Sequence, residues 1–179
     1  INLAAAKIAH AAGVPVMLNS APYAPIPEEL LACLSFISPN ETEAEDMTGV
    51  HIAHDENGID MDNVRKAAQI LRARGVENVL ITLGSAGCYL LTTEGEFTAP
   101  CATGVKAVDP TAAGDSFVGA FCVGTCCGWS WKEILTFANH TAAVTVSHMG
   151  AMPSLPLLTA VEEGMKVRGL SVPDTANLK

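Results

Sequence analysis

Basic residues are few and scattered. The chain carries 10 Lys and Arg against 19 Asp and Glu, a formal net charge of −9, and the cations nowhere cluster. A phosphate backbone is bound through such clusters, so the composition argues against a nucleic-acid partner. An anionic membrane surface is disfavoured for the same reason. No apolar run reaches the length that spans a bilayer. The opening, INLAAAKIAHAAG, has no charged n-region and no cleavage-like site, so it does not read as a signal peptide. The six cysteines, Cys33, Cys88, Cys101, Cys122, Cys126 and Cys127, form no CxxC pair, and the five histidines complete no zinc pattern with them. They read as reduced thiols of a cytoplasmic protein. Cys122 and Cys126 stand four apart on an apolar helix, which is the spacing of buried thiols. No G-x-G-x-x-G follows a first strand, which disfavours a dinucleotide-binding fold.

What is present is apolar and regularly patterned. With 179 residues, 49% apolar and 16% charged, the chain is long enough for one α/β domain with a real core. Helical spacing puts Ile1, Leu3, Ala4, Ile8 and Ala11 on one face of a helix over Asn2–Ala12, ended by Gly13. A strand over Val14–Leu18, a proline-rich loop and a short helix over Glu28–Leu34 follow. Phe36 and Ile37 form a brief strand, Thr42 is placed to cap a helix running to Thr48, and His51–Gly58 reads as a polar loop. Val64, Ala67, Ala68 and Leu71 face inward on a helix over Asp62–Arg74. The strands Val79–Leu83 and Cys88–Leu91 form a hairpin-like pair, and Glu94-Gly95 turns into Phe97–Ala99. A strand over Val105–Val108 leads into the next helix. Trp129-Ser130-Trp131 makes a packing corner before a helix over Lys132–His148, whose stripe is Ile134, Leu135, Ala138, Ala142 and Val146. The tail from Leu155 holds one short helix and a fraying polar end. This alternation predicts a three-layer α/β/α domain with a mostly parallel sheet. A parallel βαβ unit places a strand before its helix, and none precedes the first helix here.

The stretch that organises the chain is Ala107 to Gly128. An acid, a proline and a threonine (Asp109, Pro110, Thr111) are followed by Ala112, Ala113, Gly114 and a second acid, Asp115. A helix opening at Ala112–Gly114 points backbone N–H groups outward and carries partial positive charge there. Small residues let an anion approach that backbone. Asp115 is then either a helix-capping acid or a base beside an anion hole, taking the proton of an attacking hydroxyl. Two other stretches have two readings each. Asn40-Glu41-Thr42-Glu43-Ala44-Glu45 is a solvated acidic helix start, or an amide and a carboxylate that hold metal-bound water. Thr82-Leu83-Gly84-Ser85-Ala86-Gly87 is a turn between strands, or a phosphate loop. Ser147 to Ser154 reads from its residues as a Gly/Pro loop ending a helix.

Read as strings, these segments resemble one family in order along nearly the whole chain. D-P-T-A-A-G-D-S-F is similar to the D-T-x-G-A-G-D signature of the ribokinase-like (PfkB) carbohydrate kinases. Pro110 stands where that family more often has Thr, and Ala112 where it often has the first Gly. Asn40 and Glu43 match its N-x-x-E motif, Thr82 to Gly87 its T-L-G-x-x-G element, and Gly150 to Ser154 its G-A-x-x-S close. The resemblance implies a ribokinase-like fold whose N-terminal sugar-binding part and lid lie outside this chain. It implies phosphoryl transfer from ATP to the primary hydroxyl of ribose or a similar sugar. Asp115 is then the base that meets the sugar hydroxyl, and Ala112, Ala113 and Gly114 line the anion hole. The ATP contacts are Asn40, Thr82, Leu83, Gly84, Ser85, Ala86, Gly87, Gly114, Asp115 and Asn139. Asn40 and Glu43 serve Mg²⁺ and phosphate placement. A monovalent cation, K⁺, is held by Asp109, Thr111, Thr145, His148, Gly150 and Ser154, several of them through backbone carbonyls. Small molecules are the expected partners, with a homodimer allowed for the complete enzyme. Two alternatives stay open: a kinase of this family with another acceptor, such as a nucleoside or fructose phosphate, and a non-catalytic nucleotide-binding module.

Overall fold

The structure is a computed structural model that describes residues 1–56 and 58–178. Asn57, within the expected polar loop, and Lys179, in the expected tail, lie outside them. Two compact units divide the chain, Ile1–Phe97 and Thr98–Lys179.

In the first unit, helix α1 (Asn2–Ala11) leads to strand β1 (Met17–Asn19), helix α2 (Glu28–Leu31) and strand β2 (Phe36–Ser38). Helix α3 (Glu41–Thr48) and a small antiparallel ribbon, β3 (His54–Asp55) with β4 (Gly58–Ile59), come next. Then follow α4 (Met61–Ala73), β5 (Asn78–Thr82), β6 (Cys88–Leu91) and β7 (Glu96–Ala99), the last reaching the join between the units. The sheet order is β1-β2-β5-β6-β7. β1, β2 and β5 run parallel, and β6 returns antiparallel to β5 as the expected hairpin. The central strands are closed to water on both faces: Val79, Leu80, Ile81, Tyr89 and Leu90 have no exposed surface. Strands covered on both sides read as continuous apolar runs, which is how these segments appear in the sequence.

Local chemistry explains most element ends. The predicted inward stripe of α4 is buried, with Val64, Ala67, Ala68 and Leu71 at 0% exposure. Its cap is Asp60, whose side chain accepts from the N–H groups of Asp62 and Asn63 at 3.1 Å each. α3 is capped by Asn40, not by Thr42, which is exposed. The expected polar loop at His51–Gly58 contains part of the β3–β4 ribbon. The first helix turns in a different face from the one expected. Ala6 is buried and Leu3 packs on the core, whereas Ile1 and Ile8 are 108% and 73% exposed.

The second unit holds α5 (Ala113–Cys126), α6 (Trp131–Val146) and α7 (Leu158–Val167). No strand forms over Val105–Val108. The N–H groups of Val108 and Asp109 instead donate to the Val146 carbonyl at the end of α6, at 2.7 and 3.1 Å. The helix-end carbonyl satisfies this backbone where a neighbouring strand was expected. α5 turns Phe117, Ala120, Phe121 and Gly124 inward. Cys122 and Cys126 fall off that face and are half-buried and exposed. Burial raises the Cys122 thiol pKa, with Cys126 adding to the shift. α6 is enclosed around most of its girth, and its buried set includes Phe137, Asn139, His140, Thr141, Ala143 and Thr145 as well as Ile134, Leu135 and Ala138. Ala142 and Val146, expected in the stripe, are only half-buried.

The tryptophan corner is as expected. Trp129 meets Phe137 edge-on at 5.2 Å, and Trp131 stacks near Phe121 at 6.3 Å. Part of the described tail is anchored: Trp129 donates to the Asp174 carbonyl at 3.0 Å, and Thr175 donates to the buried Glu162. At Gly124 an added Cβ would lie 2.9 Å from both Ile134 and Trp129. Gly124→Ala is therefore expected to destabilise the protein despite the better helix propensity of Ala. Overpacking of this kind costs ~1–3 kcal/mol. Thermal denaturation checks it, and a raised melting point would contradict the close α5–α6 approach. Among the described residues no helix is long and apolar enough to cross a membrane.

Candidate nucleotide and phosphoryl-transfer site

The first unit gathers two of the sequence motifs at one end of its parallel strands. β2 runs out into Asn40 and β5 into Thr82, and these two residues form an isolated parallel bridge. The Thr82 N–H donates to the Pro39 carbonyl at 3.1 Å. Ligands of open α/β sheets bind beyond the carboxyl ends of parallel strands, which is where this pair lies. Asn40 and Glu43 form a reciprocal capping box: Asn40 Oδ1 accepts from the Glu43 N–H at 2.8 Å, and Glu43 Oε2 accepts from the Asn40 N–H at 2.9 Å. The capping and functional readings of this motif are therefore compatible. One carboxylate oxygen of Glu43, buried at 8% exposure, stays outside that box.

The Thr82–Gly87 stretch closes on itself. Leu83 donates to the Gly87 carbonyl at 2.9 Å, and Gly84–Ala86 makes one tight 3₁₀ turn. Gly87 sits at φ +97°, ψ −122°, a backbone conformation open to glycine and strained for other residues. Gly84 and Ser85 are exposed at the tip, while Leu83 is 1% exposed and belongs to the core. Any ligand contact of Leu83 is through its backbone. A Cβ added to Gly84 would stand 3.6 Å from Glu41 Oε1. Glu41 thus joins this corner, and the sequence pattern did not single it out.

The second unit holds the rest. α5 begins as expected, with Ala112 as the residue before its first turn. Ala112 has φ +63°, the one positive φ outside glycine among the described residues. A left-handed alanine costs ~1–2 kcal/mol, and it bends the chain so that the first turn of α5 faces outward. Gly114 and Asp115 are exposed there, and Ala112 and Ala113 are half-buried. Of the three expected anion-hole residues, Ala113 already directs its N–H to the Pro110 carbonyl at 3.2 Å. A Cβ built on Gly114 meets nothing within 4 Å. Asp115 lines a groove of about 500 Å³ with Gly119, Val123, Thr141 and Leu155 among its walls.

Asp109 ties the approach to α5 onto the loop after α6. Its carboxylate accepts from the N–H groups of Thr111 at 2.9 Å and Gly150 at 2.8 Å. The Thr111 side chain and then these two N–H groups hold its pKa below the usual carboxylate value. Asp109, Thr111 and Gly150 are thereby together. The remaining cation candidates spend their side chains locally. Thr145 is fully buried with its hydroxyl between Ser116 Oγ at 2.9 Å and the Thr141 carbonyl at 3.1 Å. Ser154 donates to the Ala151 carbonyl at 2.7 Å, and exposed His148 has Nδ1 3.0 Å from Ser147 Oγ and from the Val144 carbonyl. Among the described residues no group of three His, Cys, Asp or Glu is arranged around a metal. A cation here would be met by carbonyls and the Asp109 carboxylate.

Asn139 is 6% exposed on α6 and donates from Nδ2 to the carbonyls of Ala99 and Pro100, both at 3.2 Å. It thereby shapes one wall of a cavity of about 330 Å³, also lined by Cys101, Thr103, His140 and Arg168. Of its lining residues the sequence marked Asn139 alone, through the family resemblance, because the others are brought together only by the packing of α6 and α7 against the segment after β7.

Residues 2–158 match the model of the pfkB family carbohydrate kinases. The ribokinase of Haemophilus influenzae is 39% identical over 152 residues, 85% of this chain and 47% of the relative. The deoxyribokinase of Salmonella typhi is 32% identical over 152 residues, 84% of this chain and 47% of the relative. The structure of Arabidopsis thaliana ribokinase complexed with ribose and ATP superposes with a TM-score of 0.85 at 35% identity, covering 92% of this chain and 52% of that one. The chain thus spans about half the length of the curated relatives it matches.

Proposed function

This chain belongs to the pfkB family of carbohydrate kinases, and from that premise we propose that it is the nucleotide-binding and catalytic-base portion of an ATP-dependent sugar kinase. Its ribokinase-like fold is shared with the relatives described above. The acceptor is ribose or a close analogue such as deoxyribose. The observation that carries this reading is the start of α5, where Asp115 stands exposed one residue after an exposed glycine at the positive end of the helix.

The reaction is in-line displacement at the γ-phosphorus of ATP. A sugar primary hydroxyl forms the new P–O bond, the bond to the β-phosphate oxygen breaks, ADP leaves, and the hydroxyl proton passes to the Asp115 carboxylate. The first-turn N–H groups of α5, Gly114 foremost, stabilise charge on the transferring group. The Thr82–Gly87 turn and Asn40 place the phosphates. The base of ATP occupies the Asn139 cavity, whose size and mixed apolar and polar lining suit a planar heterocycle.

Bound Mg²⁺ would neutralise phosphate charge. Glu43 suits it, since one of its oxygens fixes the α3 cap and the other is left for metal-bound water. A monovalent cation by Asp109 and Gly150 would add positive charge next to the anion hole. Six thiols free of disulfides fit a cytoplasmic setting.

The test is a coupled ADP-release assay on the full-length protein with ribose and deoxyribose. ATP turnover dependent on one of these sugars is expected, and ATP turnover with neither would overturn the acceptor assignment. In the same assay K⁺ should raise the rate over a bulky organic cation at equal ionic strength. Equal rates in the two salts would remove the cation from the reading.

A further inference from the structure

Ala112, the one residue other than glycine with a positive φ among the described residues, stands just before Gly114 and Asp115. Strained backbone persists where its surroundings over-determine it. Here the end of α6 supplies anchors on both sides. Upstream, the N–H groups of Val108 and Asp109 donate to the Val146 carbonyl, and the Asp109 carboxylate accepts from the Gly150 N–H. Downstream, the anchor is a pair of hydroxyls, Ser116 on α5 and Thr145 on α6.

The Ser116 hydroxyl donates to the Ala113 carbonyl at 2.9 Å, so it bridges back over Gly114 and Asp115. Its oxygen accepts from the Thr145 hydroxyl, also at 2.9 Å. A threonine inside a helix commonly bonds back to the carbonyl four residues earlier, and Thr145 does so to Thr141 at 3.1 Å. What exceeds that habit is the second acceptor, on a neighbouring helix. The pair is buried, Thr145 at 0% exposure and Ser116 at 8%, so water competes little for the bond. The backbone N–H of Ser116 donates to the Ala112 carbonyl at 2.9 Å. Ser116 thus holds Ala112 by its backbone, Ala113 by its side chain, and α6 through Thr145. Ser116 also lines the groove of Asp115.

We propose that Thr145 is a positioning residue for phosphoryl transfer: through Ser116 it fixes the first turn of α5, and with it the Gly114 N–H and the Asp115 carboxylate. The assignment rests on the reading of that turn as the catalytic site. Prearranged donors act because they need no reorganisation at the moment of reaction, and a small misplacement of a catalytic group is costly. The effect belongs to the Thr145 hydroxyl and not to its bulk.

Steady-state kinetics of the full-length protein with ATP and sugar, beside thermal melts, decide the matter. Thr145→Val keeps the shape of the side chain and the backbone carbonyl, and removes the hydroxyl. It is expected to lower kcat about 3–10-fold, the usual worth of one hydrogen bond. kcat/KM should fall equally, as for an interaction felt only in the transition state. Thr145→Ser restores the hydroxyl but leaves a methyl-sized gap, so it should recover most of the lost kcat while melting below the parent. A threonine that only stabilises the fold would leave kcat parental in both folded variants. Parental kcat in Thr145→Val, or no recovery in Thr145→Ser, would overturn the role of Thr145 while leaving Asp115 in place. No sugar-dependent ATP turnover by the unaltered protein would overturn both. Should Thr145→Val fail to fold, Ser116→Ala removes the same bond from the α5 side with a good helix former. It should cost kcat at least as much, and parental kcat there would overturn the proposal.

Discussion

Asp115→Asn in the full-length protein is expected to lower kcat by ~10²–10⁴ while the melting temperature stays close to that of the parent. The carboxylate is exposed, one residue past Gly114 in the first turn of α5. Asn keeps the size and the hydrogen-bonding reach of the side chain and loses the capacity to accept a proton. A helix-capping acid would behave in the opposite way. Replacing it by Asn, itself well suited to a helix start, would leave turnover alone and shift stability by tenths of a kcal/mol at most. Steady-state kinetics with sugar and ATP, alongside a thermal melt, tell the two apart. Near-full kcat in the variant would remove Asp115 from the mechanism.

Gly114→Val carries the second large effect. A Cβ at this position meets no protein atom within 4 Å, and Gly114 is helical, so a β-branched side chain enters open space at a modest propensity cost. The fold is expected to survive. What the isopropyl group fills is the approach to the first-turn N–H groups, where the transferring phosphoryl group must sit. Loss of one such donor costs ~10²–10³ in rate, and blocking the approach should cost at least as much. ATP affinity should fall with it. A folded Gly114→Val protein with parental turnover and unchanged ATP titration would exclude the start of α5 as an anion hole. The two variants are complementary, since Asp115→Asn should spare ATP binding and Gly114→Val should not.

The parts of the site legible in the sequence were those set by a few neighbouring residues. The start of α5 follows from small residues and an acid in one run. The burial of Val64, Ala67, Ala68 and Leu71 follows from their helical spacing. The hairpin of β5 and β6 follows from a glycine-rich turn between apolar runs. Errors were local competitions between residues of similar chemistry. Asn40 and Thr42 can both cap, and Asn40 prevails because Glu43 closes the box with it. Val105–Val108 has the composition of a strand, but its N–H groups find a helix-end carbonyl. Within the polar tail, Thr175 and the Asp174 carbonyl have buried or aromatic partners that composition does not reveal.

The sequence by itself determined most of the helices, the β5–β6 hairpin, the order of the motifs and the positions of Asp115 and Gly114, because capping, turn chemistry and periodicity act within three or four residues. Only the tertiary structure decided which motifs meet. Asn40 lies against Thr82 because β2 and β5 pair in parallel. Asp109 reaches Gly150, 41 residues on, because α5 and α6 pack side by side. The cavity of Asn139 and His140 exists because α7 closes on α6 through Gly164, where no side chain intervenes. Such contacts depend on pairing register and on the volume left between packed elements, and a one-dimensional pattern specifies neither.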